Sequence, residues 1–150
     1  MLPKTKFRVQ WNTAETINQR IAEETKERIR HYAANPHQID RRLKELDEEW
    51  DIERTLETNA AGLSLVGVVL GAINKRFLLL PALVTGFLLQ HALQGWCPPV
   101  PLFRSRGVRT TTEIERERYA LKALRGDFQP ISRGADNDHA TASVLRSVNA

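Results

Sequence analysis

Thr58 to Phe103 reads TNAAGLSLVGVVLGAIN, then Lys75-Arg76, then FLLLPALVTGFLLQHALQGWCPPVPLF. Outside Lys75 and Arg76 it holds no Asp, Glu, Lys or Arg, while charge crowds both flanks. A low-dielectric solvent accounts for that contrast, because a charge at mid-bilayer costs about 2.5–3.5 kcal/mol on insertion scales. Two apolar runs in tandem, joined by one short basic turn, predict a membrane-embedded helical hairpin. The fold class that follows is an all-α membrane protein: two short transmembrane helices forming a hairpin, flanked by amphipathic cytoplasmic helices. Both arms are short. The apolar part of the first is about 14 to 17 residues, against roughly 20 for an ordinary span. In the second, Pro81 suits a first helical turn, so regular helix begins at Leu80 or Pro81. Local thinning and snorkelling let short arms span. A shallow re-entrant hairpin and a buried helix pair in a soluble domain are the competing readings.

Small residues mark where the arms meet. Gly67 and Gly71 form a GxxxG on one face, with Gly62 and Ser64 nearby, and Ala82 and Gly86 repeat the spacing on the second arm. Such faces let backbones approach closely where lipid supplies no hydrophobic drive. Packing of the two arms on each other is the plainer reading, and a homodimer the alternative.

Composition frames the rest. The 150 residues are 41% hydrophobic with a mean hydropathy of −0.40, so the chain is polar overall and its apolar residues are concentrated. Length suits one unit. A net charge of +4 fits anionic lipid headgroups at least as well as nucleic acid. Bases are mixed with acids in the outer helices, which argues against nucleic-acid binding. One cysteine, Cys97, excludes an internal disulfide framework. No apolar h-region occurs in the first thirty residues or so, hence no cleavable signal peptide is expected.

Four segments follow: 1–57, a cytoplasmic N-terminal helical region; 58–97, the transmembrane hairpin; 98–128, a Pro-rich connector and amphipathic helix; and 129–150, a tail expected to be disordered. Residues 1–12 read as an irregular basic arm that packs on the next helix. Asn12 with Glu15 has the form of a capping box for a helix over 13–34, which carries Ile17, Ile21, Ile29 and Tyr32 at helical spacing. Ile39, Leu43, Leu46 and Trp50 make a seam on a second helix. With no Pro or Gly from Gln38 to Ala61, that helix is expected to run straight into the first membrane arm, with Trp50 near the interface. After the hairpin, Gly95 ends the helix and Pro98, Pro99 and Pro101 hold the chain extended. Arg104, Arg106 and Arg109 then stand where an anionic leaflet would attract them. Thr110 with Glu113 is a second capping box, opening a helix with a stripe of Ile114, Leu121 and Leu124 that Gly126 stops. Arg41, Arg42, Lys44 and Arg54 precede the hairpin, and Arg104, Arg106, Arg109, Arg116, Arg118 and Lys122 follow it, against two bases in the turn. The positive-inside rule puts both termini in the cytoplasm.

Little here carries chemistry. His31, His37 and His139 lack the partners of a metal site. Gln90, His91 and Gln94 are the polar residues of the second arm. His91 lies near the helix end, which favours an interfacial or packing role over a cofactor ligand. Cys97 is the one candidate nucleophile, at a helix C-terminus that does not activate a thiol. No phosphate loop, Ser/His/Asp set or carboxylate pair is visible, so no catalytic residue, cofactor or metal is expected.

Residues 45 to 128 resemble a small bacterial inner-membrane hairpin family of unknown function, which also forms the membrane half of YgaP-type transmembrane rhodaneses. The resemblance rests on the two short Gly-containing arms, the Gly95-Trp96-Cys97-Pro98 ending, and the stretches GVRT and EIERERYALKALRGDF. It implies a bacterial cytoplasmic membrane, cytoplasmic termini, a dimer of hairpins, and an association with sulfur handling. No rhodanese domain is present, so sulfurtransferase activity does not carry over. The function that follows is a non-enzymatic, membrane-anchored interaction or accessory subunit. The alternative is a small thiol or persulfide carrier, or transport accessory, acting through Cys97.

Overall fold

The computed structural model describes residues 5–128 together with 144, 145 and 148. Among the described residues there is no strand. The helices are α1 (Arg8–Trp11), α2 (Glu15–Ala34), α3 (Ile39–Glu48), α4 (Ile52–Ile73), α5 (Leu79–Gln94), α6 (Val100–Ser105) and α7 (Thr111–Arg125). The chain divides into two compact units where its length suggested one: residues 1–22 with 50–113, and residues 23–49 with 114–150.

In the first unit, α4 and α5 form the antiparallel hairpin. Asn74 ends α4, its side-chain oxygen accepting from the Arg76 N–H at 3.0 Å, and a 3-10 turn over Lys75–Leu78 leads into α5. α5 begins at Leu79, beside the start expected from Pro81. Both α4 and the Lys75–Gln94 stretch are long and apolar enough to cross a membrane. The packing between them is inverted relative to a water-soluble helix pair. In the apolar part of α4 the buried positions are Gly67 and Gly71, while Leu63, Leu65, Val66, Val68, Val69 and Ile73 are 52–83% exposed. A Cβ on Gly67 would fall 2.5 Å from the Pro81 ring, and one on Gly71 would overlap the Leu78 side chain. Only a bare backbone lets the arms come this close.

The continuous helix expected from Gln38 into the first arm does not form. Glu49 is extended (ψ 127°), and Asp51 caps α4 by accepting from the Arg54 N–H at 2.8 Å. The Thr111 hydroxyl donates to the other Asp51 oxygen, and the Ile52 N–H donates to the Arg109 carbonyl at 2.8 Å. A cap and two long-range bonds thus break a stretch whose local propensity is helical throughout.

The base of the hairpin holds the unit's core, Val9, Ile52, Leu56, Cys97 and Val100, with Phe103 and Val108 packed on it. Residues 5–11 are helical, not irregular, and Val9 anchors them in this core instead of on α2. Asn12 does not cap α2. Its amide donates to the Arg8 and Gln94 carbonyls (2.8 and 2.9 Å), and Arg8 reaches the Ala92 carbonyl, so α1 satisfies the orphan C-terminal carbonyls of α5. Gly95 ends α5 at φ +77°, a conformation that favours glycine, and a Cβ there would also strike the Arg8 backbone at 2.6 Å. The prolines expected to keep the chain extended instead open α6, where proline's fixed φ and missing N–H are tolerated in the first turn.

The second unit takes the C-terminal part of α2, α3 and most of α7. Ile39, Leu43, Leu46, Ile114 and Leu121 form its core, with Tyr32 against it. Trp50 drops out of the expected seam, lying beyond the α3 break and 46% exposed. Leu124 is likewise exposed, and Glu117 takes the stripe position one turn from Ile114, fully buried. Its carboxylate accepts from Arg42 Nε at 2.8 Å and Arg28 Nε at 3.1 Å, which compensates the burial. Gly126 (φ +92°) ends α7 as expected. The expected disordered tail lies outside the described residues, apart from 144, 145 and 148.

Candidate functional site

The polar groups singled out in the sequence converge on the base of the hairpin, and most prove structural. His91, on the last turns of α5, is 2% exposed, with Nε2 2.8 Å from Glu53 Oε2 on the first turn of α4. Arg8 donates to the other Glu53 oxygen at 2.9 Å. The three residues tie α1, α4 and α5 together. The His91 Nδ1 and Arg8 Nε atoms are buried without a partner among the described residues. Glu53 was not singled out in the sequence. An antiparallel hairpin does place the first turn of one arm beside the last turn of the other, which was the available signal. Gln90 is half-buried and Gln94 exposed.

Cys97 is 3% exposed within the core of the base, and it borders an apolar cavity of about 300 Å³ between α4, α5 and the α5–α6 connection. It lies past Gln94, outside both candidate spans. Burial pushes its thiol up, and the nearby Glu53 carboxylate adds to that, outweighing the Val100 backbone N–H. Arg104, seven positions on, is engaged elsewhere. That residue is fully buried and grips Glu113 with two bonds, at 2.6 and 2.9 Å, while also donating to the Val108 carbonyl and to Asn18 Oδ1. Arg104 and Arg109 (3% exposed) are therefore withdrawn from the set expected to meet lipid headgroups. Arg106 remains exposed.

Glu113 supplies one half of the capping box expected from Thr110: its carboxylate accepts from the Thr110 N–H at 2.8 Å, whereas the Glu113 N–H donates to the Thr110 backbone carbonyl at 3.0 Å and not to its hydroxyl. Gln10 adds a third donor at 3.2 Å. Burial alone would push this carboxyl up, but the Arg104 guanidinium and the Thr110 N–H hold it below the usual carboxylate range.

Of the expected packing residues, Gly67 and Gly71 lie between the arms. A Cβ on Gly62 or Gly86 would meet nothing within 4 Å, and Ala82 is exposed, so these three do not contribute to the intramolecular contact. Among the described residues no group of three His, Cys, Asp or Glu side chains comes together to hold a metal. The arrangement provides a polar clamp at one end of an apolar hairpin. No family model, curated protein or solved structure matches the chain.

Proposed function

We propose that this protein is a non-enzymatic membrane anchor, in which α4 and α5 cross a bacterial cytoplasmic membrane and hold helical regions at the cytoplasmic surface. There it serves as an interaction or accessory subunit of a larger assembly. The observation that carries the reading is the inverted hairpin: Gly67 and Gly71 lie between the arms, while Leu63, Leu65, Val66, Val68, Val69 and Ile73 of α4 and Leu79, Leu83, Leu89 and Leu93 of α5 are exposed. A contiguous apolar surface of that kind exceeds what water-soluble monomers expose. The bacterial membrane and the cytoplasmic termini rest on the resemblance of residues 45 to 128 and on the distribution of Lys and Arg. The exposed Ala82 and Gly86 leave room for a second hairpin on the outer face of α5.

A thiol or persulfide carrier has less support. A carrier needs an accessible sulfur with thiolate character. Cys97 is buried, its thiol is pushed up, and Arg104 is engaged with Glu113. Purification of the full chain from membranes in mild detergent, followed by mass spectrometry, tests the two readings together. The anchor predicts a stoichiometric partner, an unmodified Cys97, and slow alkylation that quickens on denaturation. Persulfide or mixed disulfide on Cys97, abolished by Cys97→Ser, would overturn the anchor in favour of the carrier.

A further inference from the structure

All three tryptophans of the chain lie in the hairpin unit, and all are exposed: Trp11 by 61%, Trp50 by 46% and Trp96 by 36%. They come from three separate segments, the end of α1, the linker before α4 and the connection after α5. Chain direction nevertheless places them at one end. Trp50 precedes the N-terminus of α4 and Trp96 follows the C-terminus of antiparallel α5, so both are at the base, away from the Lys75–Leu78 turn. Trp11 is held there because its helix is bonded to Glu53, Ala92 and Gln94. Neither arm contains a tryptophan in its apolar stretch.

Charge follows the same division. The hairpin unit contains 10 Lys and Arg against 5 Asp and Glu, whereas the other unit contains 12 against 13. The basic excess of the chain thus belongs to the unit that carries the apolar arms. Lys6, Arg54 and Arg106 are exposed on segments of the base, and the Arg54 guanidinium lies 4.4 Å from the centroid of the Trp50 ring. Indoles prefer the level where hydrocarbon gives way to headgroups, because the ring is apolar and its N–H needs a partner. Cations beside them suit phosphate.

We infer that the base is an interfacial collar: α1, the Trp50 linker and the Trp96–α6 segment sit in the headgroup layer of an anionic leaflet. The three indoles lie at the hydrocarbon boundary, and Lys6, Arg54 and Arg106 lie on the phosphates. The collar rests on the reading of α4 and α5 as a spanning hairpin, and it addresses that hairpin's shortness. From Thr58 to Ile73 the rise is about 24 Å, short of a hydrocarbon core of roughly 30 Å. Side chains of the base that hold it in the headgroup layer suit the local thinning such an arm requires.

The test uses the full chain in phospholipid vesicles, with single-tryptophan variants in which the other two are replaced by Phe. Bromines are placed either near the lipid carbonyls or near the chain ends. The collar predicts that each tryptophan is quenched about twofold or more by shallow relative to deep bromines, with blue-shifted emission. Trp11, on the peripheral α1, should lose part of that quenching when phosphatidylglycerol is replaced by phosphatidylcholine, or in a Lys6→Gln/Arg54→Gln/Arg106→Gln variant. Protein that floats with the vesicles while Trp11 and Trp96 emit as in water and escape quenching would overturn the collar but leave the spanning hairpin standing. Unchanged quenching in phosphatidylcholine would overturn the assignment to an anionic surface. Protein that does not float with the vesicles would instead sink the hairpin reading itself.

Discussion

Gly67→Ile is expected to lower stability in detergent more than any other single change in the two arms. Its Cβ falls on the Cδ atom of Pro81, which the pyrrolidine ring fixes to the backbone, and no rotamer change relieves the overlap. The arms must splay, so the cost should reach or exceed the 1–3 kcal/mol or so typical of overpacking. At Gly71 the added atom meets the Leu78 side chain, which can turn away in part, so Gly71→Ile should cost less. Gly62→Ala and Gly86→Ala face open space and should be neutral or slightly stabilising, since alanine is the better helix former. Thermal unfolding in one detergent, read by circular dichroism, ranks the four. Equal effects at Gly67 and Gly86 would mean that the arms do not pack as described. Loss of a dimer in Gly86→Ile, with monomer stability intact, would assign the outer face of α5 to a second copy.

The second large effect is expected at Arg104. Arg104→Met keeps the length of the side chain but leaves the Glu113 carboxylate buried beside only the Thr110 N–H and Gln10. Removing one partner of a buried pair typically costs 3–5 kcal/mol or so. The pH dependence has a definite sign. In the native protein the Glu113 carboxyl is held below its ordinary range, so its contribution to stability is present above that range and is lost as pH falls through the lowered value. Without Arg104, burial dominates and the carboxyl moves up, so the variant protonates Glu113 at a pH where the native protein does not. The stability gap between the two should therefore narrow on going from neutral pH toward pH 4 or so. Arg104→Met/Glu113→Gln should recover part of the loss at neutral pH. A gap that stays constant with pH would show that Glu113 is not the group left unpaired.

The residues that could be read without the fold were those governed by local rules. Gly95 and Gly126 end helices at positive φ, Glu113 reaches back to the Thr110 N–H as its half of the expected capping box, and Ile39, Leu43 and Leu46 turn into a core at their helical spacing. The Gly67–Gly71 contact was legible because lipid-facing helices signal their partners through small residues. The misreadings were set by contacts distant in sequence. The α3–α4 break depends on Arg109 and Thr111, which lie more than fifty positions from Asp51 and Ile52. Asn12 exchanges its expected cap for the Gln94 carbonyl. Arg104 looked like a headgroup ligand because charge after an apolar run usually faces lipid phosphate, whereas here a glutamate nine positions on encloses it. The same enclosure weakened the case for Cys97 as a reactive thiol. In each case a polar group found a partner that periodicity cannot reveal.

Accessibility of the Lys75–Leu78 turn tests most directly whether the hairpin crosses the bilayer. In a Cys97→Ser background, Lys75→Cys places one thiol in the turn, and Gln19→Cys places one on an exposed side chain of α2, in the unit that holds the hairpin base. In intact cells the protein should remain in the membrane fraction after carbonate washing, and an impermeant maleimide added outside should label the turn but not Gln19→Cys. Lysis should then expose Gln19→Cys. A turn that is labelled only after lysis, in protein still held by the membrane, or protein that carbonate releases into solution, would contradict the spanning hairpin.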